Sequence, residues 1–300
     1  MRVLEGGMRV ILCVALWLVG TIGVLGSSGP SALGQSATAA PAAGSATAGT
    51  VGTKLVWSDE FDRPGPPNPA NWVFESGKGK WGNHEPETYC AWGSQDGPCD
   101  PKQPNAFVGD DGYLHIVGRK VADGVYTSAR MKTEGLQGFQ YGRIEARIKV
   151  PRGQGMWPAF WMLGDDIAAK RWPACGEIDI MENIGKKPDT IYGSIHGAGF
   201  IGDQIGSPFV LPDQAAYADG FHTFGITWSP QRMEFYVDDP THPYETRTPA
   251  DLPKGAVWPF EDGKYFIILN LAVGGDWPGN PDGTTQFPQE MLVDWVRVYQ

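Results

Sequence analysis

Tyr141-Gly-Arg-Ile-Glu-Ala-Arg-Ile-Lys149 alternates without a break. Tyr141, Arg143, Glu145, Arg147 and Lys149 fall on one side of an extended chain, and Ile144, Ala146 and Ile148 on the other. That is the two-residue period of a strand with one wet and one buried face. Runs of strand character recur on both sides of it, at 113–118, 157–163, 177–182, 190–196, 222–228, 233–237, 265–273 and 292–299. Gly and Pro punctuate the intervals, 3.6-residue periods are scarce apart from a short helix expected over 213–218, and no fixed period repeats. Many short strands separated by turn signals predict an all-β fold, an antiparallel sandwich or barrel.

Upstream of these strands the chain changes character. Arg2 and Arg9 precede an uncharged run over 10–26, rich in Val, Leu and Ile and followed by small residues, the layout of a secretory signal peptide. Glu5 is out of place in a basic leader, so Met8 is an alternative start. Residues 27–53 are almost wholly Ala, Gly, Ser and Thr, with little to offset the entropy of ordering them, and read as a linker. Residues 54–300 then form one domain, large enough for a substantial core. The expectation is a secreted, extracellular monomer with no stable membrane insertion once the leader is cleaved.

Net charge narrows the partners. The chain carries −10 overall; Arg2 and Arg9 against Glu5 leave +1 in the first 49 residues and −11 in the rest. So acidic a surface argues against nucleic acid or an anionic membrane and fits a neutral ligand. Cys13 leaves with the leader. Cys90 and Cys99 bracket a short Gly-Pro loop and are read as a disulfide, as an exported protein allows. Cys175 is left over and is read as a buried structural thiol, since no neighbouring His or Cys-x-x-Cys spacing would activate it.

Cys175-Gly-Glu-Ile-Asp-Ile-Met-Glu-Asn183 is the segment richest in chemistry. Three acids in six residues, interleaved with Ile178, Ile180 and Met181, are tolerable on a buried strand only where their side lines a wet cleft. Glu177 and Asp179 share a face by parity. Glu182, five residues beyond Glu177, falls on the opposite face unless a one-residue bulge intervenes, and the extra residue is assigned to Met181. Crowded carboxyls split one another's ionisation, which separates a nucleophile from an acid. A solvated edge or a calcium cluster is the plainer alternative for such a strand.

Twelve tryptophans, one of them Trp17 in the leader, are the second signal. Trp72 and Trp295 are read as core. Trp157 and Trp161 share a strand face with Ala159, and two indoles on one face are either core or a platform for the apolar faces of sugar rings.

Glu177-Ile-Asp-Ile-Met-Glu182 resembles the Glu-x-Asp-x-x-Glu signature of glycoside hydrolase family 16, in the bulged form of its laminarinase-like, endo-β-1,3-glucanase branch. Leu55-Val-Trp-Ser-Asp-Glu-Phe-Asp62, Trp81-Gly-Asn-x-Glu85, Tyr141 to Lys149, Trp157-Pro-Ala-Phe-Trp161, Gly193-Ser-Ile-His196, Asn270-Leu-Ala-Val-Gly-Gly275 and Val293-Asp-Trp-Val-Arg-Val-Tyr299 follow in that family's order. The resemblance implies a concanavalin-like β-jelly roll of two curved antiparallel sheets, with the acidic strand on the concave face. It implies Glu177 as nucleophile, Glu182 as acid/base and Asp179 as the partner that orients Glu177, in a double displacement with net retention. By the same similarity Asn83, Glu85, Trp157, Trp161, His196, Asn270 and Trp277 are candidate sugar contacts. Glu87 departs from the family, which often has Gln there. Catalysis needs no cofactor in this reading. Glu60 and Asp294 match positions where relatives hold a structural calcium.

The implied substrate is a neutral β-glucan, laminarin-type β-1,3 or mixed-linkage β-1,3-1,4. A non-catalytic β-glucan-binding protein on the same fold is the alternative of another class, but such proteins typically lack one or both catalytic glutamates. Agar-cleaving relatives share the bulged signature, and no basic patch suited to a sulfated substrate is apparent.

Overall fold

The alternation over 141–149 is realised as the strand Gly142–Lys149. Ile144, Ala146 and Ile148 are completely buried, while Arg143, Arg147 and Lys149 stay at the surface. Glu145 is the exception on the polar side: it is buried beside Tyr236, whose hydroxyl donates to it at 2.5 Å. In this computed structural model the described residues are 53–79, 81–202 and 205–300. The expected leader and, except for Thr53, the expected linker lie outside them.

Strands elsewhere follow the predicted runs closely and assemble into two sheets. The larger sheet, of eleven strands among the described residues, is antiparallel along its main path Glu245–Arg247, Arg232–Val237, His222–Ser229, Gly142–Lys149, Gln289–Tyr299 and Leu114–Ala122. Leu55–Asp59 pairs with Gln289–Tyr299, so the two ends of the described domain are neighbours. The second sheet has seven strands in the order Gly206–Val210, Thr190–His196, Glu177–Asn183, Met156–Gly164, Tyr265–Val273, Arg130–Lys132 and Val73–Glu75. Every pairing in it is antiparallel. The architecture is the expected jelly-roll sandwich.

The core lies between the sheets. Ile144, Ile148, Val296 and Val298 from the larger sheet meet Phe160, Met162, Ile178, Ile267 and Leu269 from the smaller in one cluster. Burying each such side chain contributes about 1.5–3 kcal/mol. Tyr265–Val273 is buried at all nine positions, because its other face also carries Phe266 and Ile268, which pack with Leu163 and Cys175 in a second, smaller cluster. That cluster is the apolar base beneath Trp161.

The bulge in the acidic strand is present, with one correction. Asp179 pairs with Ser194 and Glu182 with Tyr192, so three steps on one strand answer two on the other. Toward the neighbouring strand, however, Met181 keeps Phe160 as its partner and Asp179 keeps Trp161, which leaves Ile180 as the unmatched residue. Ile180 and Met181 both enter the core, at 1% and 0% exposure. Their combined burial lets all three acids emerge on the opposite side.

Two further expectations are corrected. Over 213–218 the backbone forms two short 3-10 turns, Pro212–Gln214 and Tyr217–Asp219, because Asp213 takes positive φ and Ala215 and Ala216 are extended. Trp295 is half-buried at the sheet surface with Arg297 stacked on its ring at 4.1 Å; a register shift between Val293 and Trp295 turns it away from the core. Trp72 is core as read, and Cys90 and Cys99 form the expected disulfide.

Candidate active site

Glu177, Asp179 and Glu182 project from the smaller sheet into a cleft whose two adjoining halves have volumes of about 460 and 550 Å³. Both halves are lined by the three acids together with Asn83, Trp157 and Trp172, so they meet at the carboxylates. Cross-strand neighbours leave room there: Ala159 lies opposite Glu182, and Ser194 opposite Asp179.

Each flanking glutamate is held by an indole. Trp157 Nε1 donates to Glu182 Oε1 at 2.9 Å, and Trp172 Nε1 donates to Glu177 Oε2 at 2.5 Å. Asp179, 3% exposed, lies 2.9 Å from His196 Nε2. Burial first, and then the adjacent Asp179 charge, push Glu177 up to about 8. Burial and the Glu182 charge push the more enclosed Asp179 well above the usual carboxylate range. The Trp172 indole N–H acts the other way and favours the ionised form of Glu177. Three carboxyls, the outer two each bonded by an indole, thus share one site.

One half of the cleft is built on Trp161. Asn270, opposite Ala159 on the adjoining strand, accepts the Trp161 indole N–H at 2.7 Å and donates to Tyr89 at 3.2 Å. Its amide is thus engaged in aiming the indole. Arg130 lies over the rings of both Trp161, at 4.6 Å, and Trp81, at 5.1 Å, and pairs with Glu75. Asn83 and Glu85 lie on the rim of this half. Their loop is braced against the one that carries Trp277: the Asp276 amide donates to the Asn83 carbonyl at 2.8 Å, and His84 pairs with Asp276 at 2.8 Å.

Trp277, Tyr192 and His196 line the other half. Trp277 meets Trp157 edge-on at 5.4 Å and Tyr192 at 5.0 Å. The structure therefore gathers all ten residues singled out for catalysis and sugar contact around one cleft. Sequence reasoning missed Trp172 and Arg130. Trp172, 49% exposed, had one available signal, an indole five residues ahead of Glu177. Arg130 had none, because its contacts with the two indoles are non-local.

Glu60 and Asp294 are each engaged by an arginine. Glu60 takes a two-point bond from Arg297, at 3.0 and 2.7 Å, and Asp294 pairs with Arg147 at 2.5 Å. Each carboxylate is thereby compensated by a guanidinium, which weakens it as a ligand for a cation. Cys175 is buried, and burial pushes its thiol up to about 11, so it is no nucleophile at neutral pH.

A jelly-roll sandwich with three carboxyls set among indoles in a cleft defines a carbohydrate-cleaving enzyme. The sequence profile of glycosyl hydrolases family 16 matches residues 99–297, and the chain belongs to that family. It is similar to a β-glucanase of Rhodothermus marinus, with 39% identity over 258 residues, 82% of this chain and 85% of the relative. It is also similar to the catalytic domain of an endo-1,3-β-glucanase (laminarinase) from Thermotoga petrophila RKU-1, at 45% identity and a TM-score of 0.73, covering 82% of this chain and 97% of that one. The endo-β-1,3-glucanase of Pyrococcus furiosus matches at 42% identity and a TM-score of 0.72, covering 82% and 94%.

Proposed function

We propose that the protein is an exported glycosidase that cuts β-1,3-glucan, or mixed-linkage β-1,3-1,4-glucan, within the chain and with retention of configuration. The observation that carries this reading is the meeting of two cleft halves at the carboxylates, which gives sugar units a place on both sides of the cut. Glu182 protonates the leaving oxygen as Glu177 attacks the anomeric carbon; Glu182 then activates the water that releases the glycosyl ester. Asp179 orients Glu177 and supplies it a hydrogen bond. Trp157, Trp161 and Trp277 offer flat apolar faces to pyranose rings, and Asn83, Glu85 and His196 offer polar atoms to their hydroxyls. Laminarinase relatives favour the β-1,3 linkage, and the guanidinium among the described cleft residues, Arg130, is already paired with Glu75, which disfavours sulfated galactans. The leader and the disulfide support export.

Incubation with laminarin, lichenan, curdlan, xyloglucan and agarose, with products identified by NMR, tests the reading. Internal cleavage of laminarin to β-configured oligosaccharides is expected. Laminarin binding without release of reducing ends would instead make the protein a recognition module, and α-configured first products would exclude the double displacement.

A further inference from the structure

A carboxyl buried without a cation is costly unless it stays neutral or is fully hydrogen-bonded. Glu87 is 0% exposed, and among the described residues no cation forms an ion pair with it. Its Oε2 accepts from the Val273 amide at 3.2 Å, and among the described residues its Oε1 has no hydrogen-bond donor. The side chain lies within hydrogen-bonding reach of Glu85. Glu85, on the cleft side, already receives the Tyr89 hydroxyl at 3.1 Å and the Asn83 amide at 3.5 Å. The Tyr89 oxygen in turn accepts from Asn270. Ionised carboxyls are acceptors only, so two of them facing one another in a buried site need a proton between them.

We propose that Glu87 is a positioning residue, kept as the neutral acid, whose O–H is donated to Glu85 and holds that carboxylate aimed at a sugar hydroxyl in the cleft. The proposal rests on the reading of Glu85 as a sugar ligand given above. The proton resides on Glu87 because Glu87 is the more enclosed of the two. Burial first, and then the Glu85 charge, push it up to about 8. The groups facing it are Glu85 and Tyr89 from its own segment and the Val273 amide from Tyr265–Val273, with Arg130 acting from behind Tyr89. His84 and Asp276 pair with each other at the exposed rim. As pH rises through that range Glu87 ionises, the two carboxylates repel, and the Glu85 side of the cleft loses its grip on sugar. A Gln at position 87 would donate at every pH.

Two measurements test this. Carbon-13 NMR titration of the glutamate carboxyls in the whole protein should show, among the groups that ionise above the usual carboxylate range, one that is lost in Glu87→Gln. A Glu87 signal titrating with the ordinary glutamates would overturn the proposal. Affinity for laminaritetraose is then measured in the Glu177→Gln protein, so that Glu177 does not titrate. It should fall about tenfold between about pH 6 and about pH 10 with Glu87 present and stay nearly level when Glu87→Gln is added. Superimposable profiles would sink the proposal even if both proteins bind. Failure of both to bind at any pH would instead remove the β-glucan reading, with the NMR titration still deciding where the proton resides.

Discussion

Trp172 reaches from an exposed loop to place its indole N–H 2.5 Å from Glu177 Oε2. The bond stabilises the ionised form of Glu177, and its loss raises the pKa of that carboxyl. Trp172→Phe keeps an aromatic ring and removes only the donor. Because the proposed nucleophile works ionised, the acid limb of kcat/KM should move to higher pH, with activity at alkaline pH largely kept. An unchanged pH profile would show that the indole does not tune Glu177.

Removing each glutamate should have a distinct outcome. Glu177→Gln should lower turnover by at least about a thousandfold while laminari-oligosaccharide binding persists. Glu182→Ala should recover activity on an activated aryl glycoside when azide is added, giving the β-glycosyl azide. An α-azide from the Glu182 variant would reverse the assigned roles.

Asn270 is expected to act on affinity more than on chemistry, because its amide aims Trp161 and reaches the acids only indirectly. Asn270→Ala leaves the indole N–H without its partner, at a cost of about 1–3 kcal/mol. KM for laminari-oligosaccharides should rise about tenfold with kcat within about threefold. Steady-state kinetics decide it, and a kcat collapse at constant KM would contradict the assignment.

Gly185 should tolerate no side chain. It follows the acidic strand and donates its amide to the Met156 carbonyl at 2.9 Å, and a Cβ there would lie 1.7 Å from the Gly153 carbonyl oxygen. Gly185→Ala must push these backbones apart and should cost about 3 kcal/mol. Denaturant unfolding compared with the parent measures it; equal stability would mean that the two loops yield freely.

Much of this architecture is legible in local pattern. Alternation over 141–149 and the run over 265–273, apolar but for Asn270, mark strands whose burial depends on near neighbours in sequence. Three acids among isoleucines announce a cleft for the same reason. What escapes is whatever depends on register between strands. Parity demands a bulge in the acidic strand, but only pairing with Phe160 and Trp161 identifies Ile180 as the unmatched residue. Trp295 reads as core until the shift beside Val293 turns it outward. Glu60 and Asp294 carry ligand chemistry, yet each meets an arginine that no spacing rule connects to it. The partners of Trp172 and Arg130 are likewise set by tertiary contact.

Ile180 and Met181 give the acidic strand an additional property. Both side chains are swallowed by the core, so the strand carries one residue more than its neighbour on that stretch without turning any acid away from the cleft. The orientation of the acids therefore depends on hydrocarbon filling the space behind them. A polar substitution at either position would displace the acidic face from the rear, leaving every acidic side chain chemically intact but wrongly aimed.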